Sequence, residues 1–247
     1  VGNSEDFSGE GCSYPLDFLL GGSRMLRCLP LFLVTFAGLL SAAEPLKPDR
    51  FEAAIAKFEA DRAANPPPKG GNVFIGSSSI RLWNLAEAFP EQPCINYGFG
   101  GAVMEEVARY APRLLPACQP KRVIVYAGDN DLAREIEPKA VVADFEKLVD
   151  YLAETVPNAE VIILAVKPSP SRWKLREQYL TTNKLLREIA DSSPRVKYAD
   201  TWSVLLNDDG EPKAGYYQKD NLHLTPEGYA AWNKVVGPLL VDEKESE

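Results

Sequence analysis

Along most of this chain, short near-continuous apolar runs alternate with stripes of helical period. Asn72-Val73-Phe74-Ile75, Cys94-Ile95-Asn96-Tyr97, Arg122-Val123-Ile124-Val125-Tyr126, residues 160–166 (Glu-Val-Ile-Ile-Leu-Ala-Val) and Val196-Lys197-Tyr198 have strand length. Runs of this kind suit strands covered on both faces, as in a parallel sheet. Between them lie core-facing helical stripes: Phe51, Ile55 and Phe58; Met104, Val107, Ala108, Ala111, Leu114 and Leu115; Val141, Val142, Phe145, Leu148, Val149 and Leu152. Leu175, Tyr179, Leu185, Leu186 and Ile189 mark a fourth helix of irregular spacing, and Ala230, Trp232, Val235, Val236 and Leu239 a last one. Pro116, Pro138, Pro157 and Pro194 punctuate the ends. Alternating β and α units predict an α/β fold: a three-layer α/β/α sandwich around a five-stranded parallel sheet, in the flavodoxin-like order 2-1-3-4-5. Ligands of such sheets bind beyond the carboxyl ends of the strands.

The pattern changes before residue 44. Met25-Leu26-Arg27 precedes an apolar run from Cys28 to Leu40, and Ser41-Ala42-Ala43 follows. A basic start, a short apolar stretch and small residues are the parts of a signal peptide, and the run is short for a span of about 20 residues. The expected organisation is an upstream segment at 1–24 that is non-native or disordered, a signal peptide at 25–43 and one domain at 44–247. A secreted or periplasmic protein follows, with no stable membrane insertion after cleavage. The domain is long enough for one substantial core.

The acidic balance, with 35 Asp and Glu against 27 Lys and Arg, argues against a nucleic-acid partner. Of the four cysteines only Cys94 and Cys118 fall in the domain. Export permits a bridge between them, but spacing does not say whether they meet.

One histidine narrows the chemistry. A zinc hydrolase needs two or three nitrogen or thiolate ligands, which this composition does not readily supply. A serine hydrolase needs one histidine and an acid to orient it, and His223 stands in Asp220-Asn221-Leu222-His223. Neither metal nor cofactor is expected. The first strand run ends at Gly76-Ser77-Ser78-Ser79, the second at Gly98-Phe99-Gly100-Gly101 and the third at Gly128-Asp129-Asn130-Asp131. The Asp220/His223 step precedes the helix that Thr225-Pro226-Glu227 starts. All four segments fall at one edge of the expected sheet. Singly, each has an ordinary explanation, such as a helix cap at the serine or turn chemistry at Asn130.

Together and in this order, the four segments resemble the blocks of the SGNH (GDSL-type) hydrolases, over nearly the whole of 44–247. The resemblance implies catalytic Ser78, Asp220 and His223, with Ser78 as nucleophile, His223 as general base and Asp220 as its orienting acid. It implies an oxyanion hole from the backbone N–H groups of Ser78 and Gly101 and the amide of Asn130. It also implies ester hydrolysis, on acetylated sugars, short acyl esters or lysophospholipids.

Ser77 stands where the family usually has Asp, Ala102 where an Asp is frequent, and Ser77 and Ser79 are competing hydroxyls. Asp129 either faces the site, where it disfavours anionic substrates, or points away and caps a loop. Trp173, in the segment after the fourth strand, either stacks on a sugar or aryl ring or anchors its loop.

No long apolar lid is visible, which favours short acyl groups. The expectation is an exported serine esterase acting on a small-molecule or carbohydrate ester, acetyl above all. A lysophospholipase or other acylhydrolase of the same family, or a catalytically impaired carbohydrate-binding relative, stays open. An α/β-hydrolase fits less well, because Ile80 stands where Gly-x-Ser-x-Gly needs glycine. A glycosidase pair at Asp129 and Asp131 lacks a supporting frame, and Val103 breaks a Gly-x-Gly-x-x-Gly pattern.

Overall fold

The five apolar runs form strands β1 (Asn72–Gly76), β2 (Cys94–Gly98), β3 (Arg122–Tyr126), β4 (Glu160–Leu164) and β5 (Val196–Ala199) in the computed structural model, which describes residues 50–242. All pairs are parallel, in the order β2-β1-β3-β4-β5. The helices are α1 (Glu52–Ala64), α2 (Ser78–Arg81), α3 (Leu85–Ala88), α4 (Met104–Leu114), α5 (Asp129–Leu132), α6 (Pro138–Thr155), α7 (Arg176–Ser192) and α8 (Pro226–Val236). The expected sandwich and strand order are therefore present. The proposed signal peptide and the segment before it lie outside the described residues. Among the described residues, no helix is long and apolar enough to cross a membrane.

Why the runs are continuous is visible in β1. Val73 and Ile75 face a layer built from α1, α4, α6 and α7, while Phe74 faces a layer from α2, α3 and α8. All three are fully buried. Side chains alternate across a strand, so a sheet covered twice needs apolar residues at odd and even positions alike. Each such side chain contributes roughly 1.5–3 kcal/mol by burial.

Two elements depart from expectation. The fourth run was expected through Val166, yet β4 ends at Leu164. The Asn183 side chain takes over the backbone beyond it, accepting from Val166 N–H at 2.7 Å and donating to Val166 O at 3.0 Å. The irregular fourth stripe is a regular helix, α7. Its buried face runs Tyr179, Thr182, Asn183, Leu186 and Ile189, so two polar residues fill positions that an apolar pattern leaves blank.

Cys94 and Cys118 are free thiols. Cys94 packs on the Phe74 side of the sheet and Cys118 on the Val73 side, so the sheet stands between them.

The serine-bearing turn fits only because β1 and β2 both end in glycine. Gly76 and Gly98 are register partners. A Cβ on Gly76 would lie 1.9 Å from Tyr126 O, and one on Gly98 would lie 2.1 Å from Arg81 N. Gly98 thus lets α2 rest on the end of β2. Replacing Gly98 with alanine is expected to destabilise the protein by about 3 kcal/mol or more, the upper range for overpacking. Urea unfolding checks this, and an unchanged midpoint would contradict the packing argument.

Candidate active site

At the carboxyl edge, Ser78, His223 and Asp220 form one hydrogen-bonded series. His223 Nε2 lies 3.0 Å from Ser78 Oγ, and His223 Nδ1 lies 2.5 Å from Asp220 Oδ2. An ionised carboxylate only accepts, so Nδ1 carries the proton and Nε2 is left to accept from the serine hydroxyl. The other Asp220 oxygen accepts the backbone N–H groups of Leu222 (2.9 Å) and His223 (3.0 Å). That closed turn needs Asn221 in the left-handed region, at φ 56°, which asparagine tolerates. Burial raises the Asp220 pKa, but the His223 ring and the two backbone donors outweigh it and lower the value to about 2.

The loop holding His223 is fastened at both ends. Gln218 N–H donates to His223 O (2.8 Å), Thr225 N–H donates to Tyr216 O (3.0 Å), and Ser171 N–H donates to Asn221 O (3.1 Å). Thr225 caps α8 through Gly228 N–H, with Pro226 in the first turn. Helix α8 then docks on the serine turn, where Tyr229 Oη donates to Ser79 O at 2.9 Å.

Ser78, Arg81, Gly100, Gly101, Asn130, Leu222 and His223 line one cavity of about 380 Å³. Gly101 has φ 82°, and a Cβ there would meet no protein atom within 4 Å, so its backbone is open to the cavity. Asn130 donates through Nδ2 to Ala102 O at 3.0 Å, which leaves its second N–H free of that bond. Ser77 and Ser79 are both buried beneath the turn, and neither lines the cavity.

The structure thus brings Ser78, Gly101, Asn130, Asp220 and His223 together. It places Asp129 and Trp173 elsewhere. Asp129 is 2% exposed, with its carboxylate turned inward to Lys167 Nζ (3.5 Å) and Arg172 Nη1 (3.3 Å). It points away from the cavity, as the second alternative had it, and two cations beneath the loop hold it. The Trp173 ring stacks on Trp202, with centroids 6.0 Å apart, and packs against the core. The ring therefore lies on the apolar surface of Trp202 and not out over the cavity.

Three supporting residues were missed. Arg172 donates to Asp129 O (2.9 Å) and to Asn130 Oδ1 (3.1 Å), which fixes which way the Asn130 amide points. Arg50 donates to Gly101 O (3.1 Å) and pairs with buried Glu106. Lys167 is 1% exposed, and burial lowers its pKa, with Asp129 working against that shift. A lysine directly after an apolar run was the one available signal, since a buried cation needs a buried partner. Arg50 and Arg172 left no trace in the pattern.

A doubly wound sheet with a hydrogen-bonded serine, imidazole and carboxylate at its carboxyl edge defines the class of α/β hydrolytic domains. The chain belongs to the GDSL-like Lipase/Acylhydrolase family, whose model matches residues 80–231. That stretch includes Gly101, Asn130, Asp220 and His223 and begins two residues after Ser78.

The fold is shared with solved structures. A Streptococcus pneumonia protein provisionally assigned as a platelet activating factor superposes with a TM-score of 0.71 at 21% identity, over 77% of this chain and 92% of that one. A GDSL-like lipase from Bacteroides thetaiotaomicron gives 0.65 at 18% identity, over 76% and 97%. An acetylxylan esterase from Geobacillus stearothermophilus gives 0.58 at 14% identity, over 71% and 96%. No curated protein matches the sequence.

Asp131 ties the third segment to the second, its Oδ1 accepting Met104 N–H at 2.8 Å at the start of α4. Burial raises its pKa to about 7. An unfolded aspartate loses its proton near about 3.9, so the folded state holds the extra proton between these values. The stability Asp131 contributes is full below about pH 4 and is lost as pH rises through about 7. In thermal melts between pH 5 and 8, Asp131→Asn is expected to flatten the decline of Tm with pH. Parallel wild-type and variant profiles would show that Asp131 does not titrate in this window.

Proposed function

We propose that this chain is an exported serine esterase that hydrolyses short-chain acyl esters, acetyl esters above all, through Ser78, His223 and Asp220. The observation that carries this reading is the series Asp220–His223–Ser78, with bonds of 2.5 and 3.0 Å opening into a cavity lined by Gly101 and Asn130. His223 Nε2 takes the Ser78 proton as Oγ attacks the ester carbonyl carbon. The carbonyl electron pair moves to oxygen, met by the N–H groups of Ser78 and Gly101 and the second Asn130 N–H. Asp220 stabilises the imidazolium, which then protonates the departing alkoxide and leaves an acyl-Ser78. Water repeats the sequence, giving its proton to His223, and the carboxylic acid leaves as serine is restored.

Family membership supports acyl-ester hydrolysis. The resemblance to an acetylxylan esterase supports a small acyl group on a carbohydrate or other small alcohol. Export rests on the pattern from Met25 to Ala43.

In a folded Ser78→Ala variant, 4-nitrophenyl acetate hydrolysis is expected to fall by about 10⁴-fold or more, and in Asn130→Ala by about 100- to 1000-fold in kcat. Full activity in Ser78→Ala would move the nucleophile elsewhere. Across an acyl series, acetyl and butyryl esters should outpace palmitoyl esters, and a maximum at long chains would exclude the short-acyl reading.

The acid limb of kcat/KM should fall with unit slope. Asp220 stays ionised down to about pH 2 and adds no second step. A limb of slope two would contradict this assignment.

A further inference from the structure

We infer that Arg81 is an anion-recognising subsite, and that the esters this enzyme takes carry a carboxylate or phosphate beside the scissile bond. This rests on the esterase reading and specifies its substrate class. Arg81 lies one helical turn after Ser78, at the end of α2, and lines the same cavity as Ser78, Gly101 and His223.

The guanidinium lies close against Gly100. A Cβ on Gly100 would stand 2.8 Å from Arg81 Nε and 3.3 Å from both Cζ and Nη2. Glycine at 100 therefore makes room for the guanidinium in the cavity wall. Among the described residues, no carboxylate or carbonyl accepts a hydrogen bond or ion pair from the Arg81 guanidinium. Arg50 by contrast pairs with Glu106, and Arg172 with Asp129.

No carboxylate of the cavity lining faces this cation. Asp129, one of the two aspartates that flank Asn130, is buried against Lys167 and Arg172. Asp220 is engaged by His223 and two backbone N–H groups. The cavity lining holds one guanidinium and no carboxylate, on a chain whose formal net charge is −8. A guanidinium fork matches carboxylate and phosphate oxygens two at a time.

A second cavity of about 530 Å³ shares Arg81 and Gly100 with the first and is walled by Phe51, Phe58 and Phe99. Lys57, on its rim, is paired with Asp61. The two cavities meet at Arg81, so an anionic group held there would leave an apolar or ring-shaped portion to lie along the phenylalanines.

The test is equilibrium binding of benzoate, phenyl phosphate and neutral benzamide by calorimetry, to the wild type, Arg81→Gln and Ser78→Ala. None of these probes contains a cleavable carboxylic ester, so the result is independent of turnover. At least one anion is expected to bind the wild type and Ser78→Ala about tenfold or more tighter than benzamide. Arg81→Gln should remove that preference. The anion that binds better identifies the carboxylate or the phosphate class.

An anion bound no better than benzamide, or bound equally well by Arg81→Gln, overturns the assignment. A wild type that binds the anion yet leaves both 4-acetoxybenzoate and 4-nitrophenyl acetate intact would overturn the esterase reading alone. A parallel rate comparison of 4-acetoxybenzoate with 4-acetoxybenzamide should show the same preference in kcat/KM, lost in Arg81→Gln.

Discussion

The site depends on the docking of α8 against the sheet. Ser78 and His223 are 145 residues apart in sequence. What brings them within 3.0 Å is an aromatic cluster: Trp232 of α8 is fully buried against Tyr126 of β3 and Trp83, and Tyr229 stacks on Trp83. Trp232 also donates through Nε1 to Thr201 O at 3.0 Å, so its polar edge is satisfied inside the core. Aromatic packing of this kind supplies large buried area with defined geometry. Since the His223 loop leads straight into α8, whatever seats the helix also aims the imidazole.

The same edge of the sheet solves a second problem, that of carrying charge next to a site that, on the proposed reading, stabilises an oxyanion. The third segment brings Asp129 and Asp131 to either side of Asn130. An exposed carboxylate beside the developing negative charge would oppose it. Asp129 is instead drawn beneath the loop by Lys167 and Arg172, and Asp131 is tied to the start of α4. Arg172 thereby has two duties, neutralising Asp129 and orienting the Asn130 amide through Oδ1. Burial of both side chains keeps this acidic segment out of the cavity lining, in which Arg81 is the one cation and no carboxylate stands.

Much of this was legible without coordinates. The strand runs and the order 2-1-3-4-5 followed from period and alternation, because a sheet covered on both faces writes its burial into consecutive residues. The Asp220-Asn221-Leu222-His223 step was readable because its geometry is local: one tight turn puts the acid on the imidazole. Gly98 and Gly101 were visible as glycines. The reasons for them, the close passage of Arg81 past one and the left-handed backbone of the other, were not. The apparent irregularity of α7 came from reading apolar residues alone, when Thr182 and Asn183 complete the stripe by hydrogen bonding inside the core.

What the sequence determined by itself was therefore whatever depends on neighbours within a turn or a strand: the elements, their order, the residues placed at the carboxyl edge and the acid–imidazole pair. The tertiary structure alone decided the direction of each polar side chain across elements. Asp129 turned inward, Trp173 packed onto Trp202, Arg172 reached Asn130, Arg50 reached Gly101, and the two thiols fell on opposite faces of the sheet. Those outcomes rest on which groups meet in space when charges must find partners in a low-dielectric interior. A linear pattern records that a residue is polar, but not which distant partner will satisfy it.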